Sequence, residues 1–404
     1  MPTTRTEIAG MSLEALRDHY RYNLFEDYLP FWEAHGIDHE LGGFMCGMDH
    51  DGTYVNTDKA MWYLGRGLWV YSFLHNHFGG DHYLEVARKA RDFTVRHGRD
   101  EKGDWVAALD REGRVVRPAD GVGYAGSFVA EGLQEYYKAT GDRASLDLAL
   151  EGLWRTMEIF DDPRRDVPQT YIPRSYPGMR TQGFEMVTIR VGTQILEQVQ
   201  DPKLEGRVAR AVDAVMNRYW NPEYRLNNEA LTHDYERPED ENEDFIYLGH
   251  AIETLWMVMA EAVRLKDRGL FDLAAERMGR HIEVAWDDVY GGLFRAMRVH
   301  GAYTFDKVLW LQEEALIGLM MLMEHTDLEW PTRWFDRVFH YVQERFCLRK
   351  HGYPLWIEAG DRKVTFRPRS ARKENYHHPR YLLLNLLAVE RMIERGGTVS
   401  ALWG

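Results

Sequence analysis

Cysteine is nearly absent. Cys46 and Cys347 are the only two in 404 residues, too few for a disulfide framework, and neither stands in the spacing of a metal-binding pair. No uncharged apolar run approaches the roughly 18 residues that a membrane helix requires. The polar start Met1-Pro2-Thr3-Thr4-Arg5-Thr6-Glu7 lacks the apolar core of a signal peptide, so a cytoplasmic location is the expectation. Basic residues are outnumbered, 50 against 64 acidic, for a net charge of -14. That balance argues against nucleic acid or an anionic membrane as partner and fits a neutral or polar small molecule better. Also missing are a Gly-x-Ser-x-Gly elbow, a Walker loop, a Gly-x-Gly-x-x-Gly after a strand and a His-Glu-x-x-His pair, the local signatures of serine hydrolases, nucleotide and dinucleotide sites and zinc proteases.

What the chain does have is apolar content, 45% of residues with 13% aromatic, enough for a large core in one repetitive domain spanning residues 1–404. Apolar residues at helical spacing mark twelve segments: 12–34, 58–78, 83–98, 126–140, 143–160 and 183–199, then 203–220, 246–265, 270–285, 307–325, 330–347 and 377–395. The even-numbered segments recur about every 57 to 70 residues, a repeat of helical hairpins. They are apolar all round, whereas odd ones carry charged stripes such as Arg88-Lys89-Ala90-Arg91-Asp92. Buried inner and half-solvated outer helices follow. Six such hairpins close into an all-α (α/α)6 barrel, which removes the ends that an open solenoid must cap.

Short alternating runs precede the even segments: Phe44 to Val55 about Asp51-Gly52, Trp105 to Val116 about Glu112-Gly113, Leu293 to Phe305 about His300-Gly301, and Leu355 to Phe366 about Gly360-Asp361. These read as β-hairpins rimming the mouth where the inner helices begin. The acidic run from Glu236 to Asp244 reads as a solvated loop.

Polar and aromatic residues concentrate at the inner-helix starts: Lys59, Trp62 and Arg66; Tyr124 and Ser127; His250 and Glu253; Trp310, Gln312 and Glu314; His377, His378 and Arg380. A structural ion pair or a core histidine explains any one of these. Five clusters at one end of parallel helices point instead to a binding pocket. Imidazoles, fixed cations and tryptophan surfaces suit proton transfer at a carbon beside a sugar carbonyl, where a base removes the proton and a cation holds the enediolate oxygen. His250 and His377 are then the bases and Arg66 and Arg380 the stabilisers. Glu253, three residues from His250 on the same helix face, is positioned to orient it.

Those same stretches resemble the N-acylglucosamine 2-epimerase family. The likeness is carried by Leu41-Gly42-Gly43-Phe44, Asp49-His50-Asp51-Gly52 and the run Lys59-Ala60-Met61-Trp62-Tyr63-Leu64-Gly65-Arg66. It continues through Tyr124-Ala125-Gly126-Ser127-Phe128, Gly249-His250-Ala251-Ile252-Glu253 and Tyr376-His377-His378-Pro379-Arg380. The resemblance implies an (α/α)6 barrel that interconverts C2 epimers of sugars, or aldoses and ketoses, without metal or redox cofactor. It makes His250 and His377 the acid/base pair and Arg66, Glu253, Glu314 and Arg380 pocket residues. Some relatives carry a further histidine at the head of the third inner helix, where this chain reads Gly183-Phe184-Glu185-Met186, and its absence favours the N-acylglucosamine branch. The family's Trp-Trp-Pro is here Leu309-Trp310-Leu311. A cellobiose or mannose 2-epimerase and a mannose isomerase are the near alternatives. A glycoside hydrolase using Glu253 and Glu314, and a non-catalytic sugar-binding protein, are the distant ones. The expected partner is a small sugar, with a homodimer left open.

Overall fold

The structure is a computed structural model that describes residues 4–121, 123–166, 169, 171–301, 303–352 and 373–403. Its helices are α1 (Leu13–Arg21), α2 (Met61–Phe78), α3 (Asp81–His97), α4 (Tyr124–Thr140), α5 (Arg143–Asp161) and α6 (Gln182–Leu196), followed by α7 (Pro202–Asp213), α8 (Leu248–Leu265), α9 (Arg268–Ala285), α10 (Leu309–His325), α11 (Trp330–Arg345) and α12 (His377–Glu394). Side-chain caps set several outer starts: Asp201 accepts from the backbone N–H of Lys203 and Leu204, and Asp267 from that of Leu270. The first segment is less regular than its apolar spacing predicts. After α1 it continues in wide π-helical turns at Tyr22–Tyr28 and Trp32–Gly36, on either side of Pro30, whose nitrogen has no hydrogen to donate.

The even-numbered helices are neighbours in the order α2, α4, α6, α8, α10, α12, and α12 returns to α2. This is the (α/α)6 barrel that the repeat predicts. Helix α10 is buried on every side, Gln312, Glu313 and Glu314 included, whereas outer α11 buries only Pro331, Phe335, Val338, Phe339 and Val342. Each outer helix from α3 to α11 packs on the inner helix before it, while α1 packs on α12. The first and last helices therefore complete the sixth pair. Glycines bring α2 and α4 into backbone contact: a Cβ on Gly65 would meet the Phe128 carbonyl oxygen at 2.3 Å, and one on Gly132 the Gly65 oxygen at 2.4 Å. That approach sets Trp62 and Arg66 against Phe128.

Strands lead into the inner helices. Lys59–Ala60 pairs with Ala108–Leu109, which pairs with Val115–Arg117; Phe245–Ile246 pairs with Ala296–Arg298, which pairs with Tyr303–Thr304. These contain the expected hairpins about residues 112 and 300. The one about residue 51 is a single bridge from Met48 to Tyr54, and the one from Leu355 to Phe366 lies outside the described residues. The pairing of Arg180–Thr181 with Ala230–Leu231 joins strands about fifty residues apart and left no pattern in the sequence. The acidic run is not wholly solvated, because Asp244 is buried, pairs with Arg298 at 2.8 Å and accepts from the His300 N–H at 2.9 Å. Among the described residues no helix is long and apolar enough to cross a membrane.

Candidate active site

Where the inner helices begin, a cavity of about 800 Å³ opens. Every inner helix contributes to its lining: Arg66 from α2, Tyr124 from α4, Met186 from α6, His250 and Glu253 from α8, Trp310 from α10 and His377 from α12. Six helix N-termini face this mouth, so their dipoles add positive potential where a developing oxyanion would sit.

His250 is held by Glu229, whose Oε1 lies 3.0 Å from its Nδ1 and also accepts from the Tyr171 hydroxyl at 3.1 Å. Sequence spacing points to Glu253 as the orienting group; the hydrogen bond belongs to Glu229 instead. Burial alone would lower the imidazole pKa, but the charge and hydrogen bond of Glu229 outweigh it and raise His250 above its ordinary value. With Nδ1 committed to a carboxylate, Nε2 is the nitrogen left available for a proton.

His377 also stands against a carboxylate, as an ion pair. Its Nδ1 lies 2.8 Å from Glu374 Oε2, its backbone N–H donates to the same carboxylate at 3.2 Å, and its Nε2 is 4.0 Å from Glu253 Oε1. Burial would raise the Glu374 pKa, yet His377 and Arg66 hold it down at about 2. Trp310 contacts both imidazoles, stacked on His377 with centroids 5.6 Å apart and 6.1 Å from His250. It reaches that place because residue 249 has no side chain: a Cβ on Gly249 would meet the indole at 2.4 Å.

Arg66 donates to Glu374 at 3.1 Å, and its guanidinium lies 4.1 Å from the Phe128 ring, 4.6 Å from Tyr376 and 5.0 Å from Trp62. Tyr124 stacks on Phe184, centroids 4.4 Å apart. Five residues of the expected pocket clusters take other positions. Lys59 is fully buried away from the cavity, bonded to Asp38 at 2.9 Å, Gly42 O at 2.7 Å and Arg111 O at 3.0 Å; it ties loop to hairpin at the rim. Arg380 and Glu314 lie beneath the cavity floor rather than in it. Arg380 Nη2 donates to Glu253 at 2.7 Å and to Glu314 at 2.5 Å, and the Trp256 indole donates to Glu314 at 2.7 Å. Burial pushes the Glu314 pKa up and the Glu253 charge adds to that, while Arg380 and His377 overcome burial to keep Glu253 ionised. Gln312 bonds the backbone of Leu293 at 2.9 Å through both amide atoms, and Ser127 is buried outside the lining.

Ligand atoms of Glu253, Glu314 and His377 fall within 4.8 Å of one another, a cluster that the linear spacing does not reveal. The chemistry of the set does not fit a cation, because Arg380 Nη2 already contacts both carboxylates and an added metal would meet a buried positive charge. Activity is therefore expected to survive exhaustive chelation. Loss with chelator and recovery with a divalent ion would contradict this reading of the cluster.

Glu229 and Glu374 are the residues that sequence reasoning missed. Glu374 stands three residues before His377, the spacing already used to relate His250 to Glu253, so its signal was present. Glu229 left none, since pairing across the chain carries it to the mouth: Ala230–Leu231 pairs with Arg180–Thr181, and the Glu229 backbone bonds Gln182 and Phe245.

Comparison with known proteins identifies the family and the fold. The model of the N-acylglucosamine 2-epimerase (GlcNAc 2-epimerase) family matches residues 42–379. The N-acylglucosamine 2-epimerase of Bos taurus is 24% identical over 97% of this chain and 95% of its own. The cellobiose 2-epimerase of Dictyoglomus turgidum is 23% identical over 86% and 91%. The structure of cellobiose 2-epimerase from Bacillus thermoamylovorans superposes with a TM-score of 0.79 at 21% identity, covering 94% of this chain and all of that one.

Proposed function

Because the chain belongs to the N-acylglucosamine 2-epimerase family, we propose that it is a sugar 2-epimerase interconverting N-acyl-D-glucosamine and N-acyl-D-mannosamine. One observation carries the proposal. Two imidazoles, each with Nδ1 within 3.0 Å of a carboxylate, contact the same indole at one cavity. On the ring-opened sugar C2 lies beside the C1 carbonyl. One imidazole takes the C2 proton, the electron pair moves onto O1, and the other imidazole returns a proton to the opposite face. In the reverse direction the roles exchange. The raised His250 is suited to the proton-donating role near neutral pH, and Arg66 with the helix N-termini offers positive charge to O1. Glu253 and Glu314 do not form a hydrolytic acid–nucleophile pair, since they share one guanidinium nitrogen and Glu314 is outside the cavity lining.

The test is product analysis. With N-acetylmannosamine, mannose and cellobiose supplied separately and products resolved by chromatography, the expected result is N-acetylglucosamine from the first as the preferred reaction. Turnover of cellobiose or mannose alone would make this a 2-epimerase of unmodified sugars, and ketose products an isomerase.

Glu229 sets the pH response. Glu229→Gln keeps a hydrogen-bond acceptor but removes the charge that raises His250, so the imidazole pKa falls. Where His250 acts as base, the acid limb of kcat/KM moves to lower pH; in the opposite direction, where it acts as acid, the alkaline limb moves down too. Rates should drop about 10²-fold. Limbs that stay in place would show that His250 does not set them.

A further inference from the structure

Where α1 and its continuation pack on α12, the cavity wall next to His377 is aromatic. Tyr28 and Trp32, with ring centroids 5.8 Å apart, line it together with Glu313 and His378, the latter 5.6 Å from Tyr28. Among the side chains of this wall, Trp32 Nε1 and Glu313 Oε2 are buried and have no hydrogen-bond partner among the described residues, a costly state that a ligand would relieve. The other Glu313 oxygen, Oε1, lies 2.5 Å from His378 Nδ1. Burial pushes the Glu313 carboxyl well above its usual range, with the Glu374 charge adding to it, and burial lowers His378 to about 3. Oε1 of Glu313 is thus taken up by His378, which leaves Oε2 as the unpartnered acceptor and Trp32 Nε1–H as the unpartnered donor among the side chains of this wall.

We infer that this wall seats the 2-acylamino group of the substrate, with Trp32 Nε1–H donating to the acyl carbonyl, Glu313 Oε2 accepting the amide N–H, and the acyl methyl against Tyr28. The inference rests on the N-acyl sugar reading above. A secondary amide presents its donor and its acceptor on separate atoms and ends in an apolar methyl, the complement of this wall. A 2-hydroxyl carries both functions on one atom and has nothing to place on the aromatic surface. The location suits C2, because Glu374 and His378 bracket the His377 that handles its proton and Glu374 contacts that imidazole at 2.8 Å.

The test measures kcat/KM for N-acetylmannosamine and the inhibition constant of mannose as its competitor, in the wild type, Glu313→Leu, Glu313→Gln and Trp32→Phe, each checked for an unchanged melting profile. Glu313→Leu and Trp32→Phe should each lower kcat/KM for the N-acetyl sugar at least about 10-fold more than they weaken mannose. Glu313→Gln, which keeps a donor toward His378 and a carbonyl toward the cavity, should recover most of the loss. Should Glu313→Leu fail to fold, Trp32→Phe, which keeps the ring and loses only the N–H, carries the same comparison. Parallel loss of both sugars would overturn the acyl wall while leaving N-acyl epimerisation intact. A wild type inert toward N-acetylmannosamine but active on mannose would overturn both.

Discussion

Replacing His377 by Asn is expected to lower epimerisation at least about 10³-fold, because the proposed mechanism gives that imidazole the proton on one face of C2. The backbone N–H of residue 377 keeps its hydrogen bond to Glu374 in the variant, so the helix start and Arg66 should stay in place while the imidazole is lost. The variant should not be inert. His250 remains, and with the epimer whose C2 proton faces it the variant should still exchange that proton for deuterium without inverting the centre. His250→Asn should show the mirror pattern with the other epimer. Normal epimerisation by His377→Asn would move the role to His378, although that imidazole is bonded to Glu313 rather than to Glu374. Normal epimerisation by both variants would remove the two-histidine mechanism altogether.

Arg380→Met is the second large effect, and it falls on stability. The guanidinium is buried against two carboxylates, Glu253 and Glu314, and its Nη1 also donates to the Tyr376 hydroxyl at 2.9 Å. Removing one partner of a buried ionic cluster costs about 3–5 kcal/mol, read as a lower denaturant midpoint. The pH dependence has a definite sign. In the wild type Glu253 is held below its ordinary value, so its contribution is present above the unfolded carboxylate pKa of about 4.3 and is lost as pH falls through the folded value. Without Arg380 the folded value rises, so the deficit of the variant is largest near neutrality and shrinks on acidification. Adding Glu314→Gln should recover part of it. A variant as stable as the wild type but depleted in kcat/KM would mean that Arg380 acts on the substrate directly.

Helix positions were legible because burial differs so sharply between inner and outer helices that apolar periodicity reports it. The inner-helix starts of α8 and α12 were legible for the same reason, since a histidine at the head of an otherwise apolar run stands out. Pairing across the chain was not. Lys59 looks like a pocket cation in sequence, and only the fold brings Asp38, Gly42 and Arg111 around its ammonium. Arg380 and Glu314 were drawn to one place in the sequence, and the structure buries both outside the cavity lining, because periodicity reports which end of a helix a residue occupies and not how deep its side chain lies. Glu229 is the limiting case, a carboxylate delivered by a two-residue strand pair that has no local pattern.

The most direct test of the central claim is solvent deuterium incorporation by the wild-type enzyme in D2O, followed at early conversion. Two bases on opposite faces predict that the epimeric product carries deuterium at C2, because the donating imidazole has equilibrated with solvent, while the recovered substrate is still largely protiated there. Product that retains the original C2 protium would contradict the account, since the same proton would then have crossed from one face to the other without passing through two separate imidazoles.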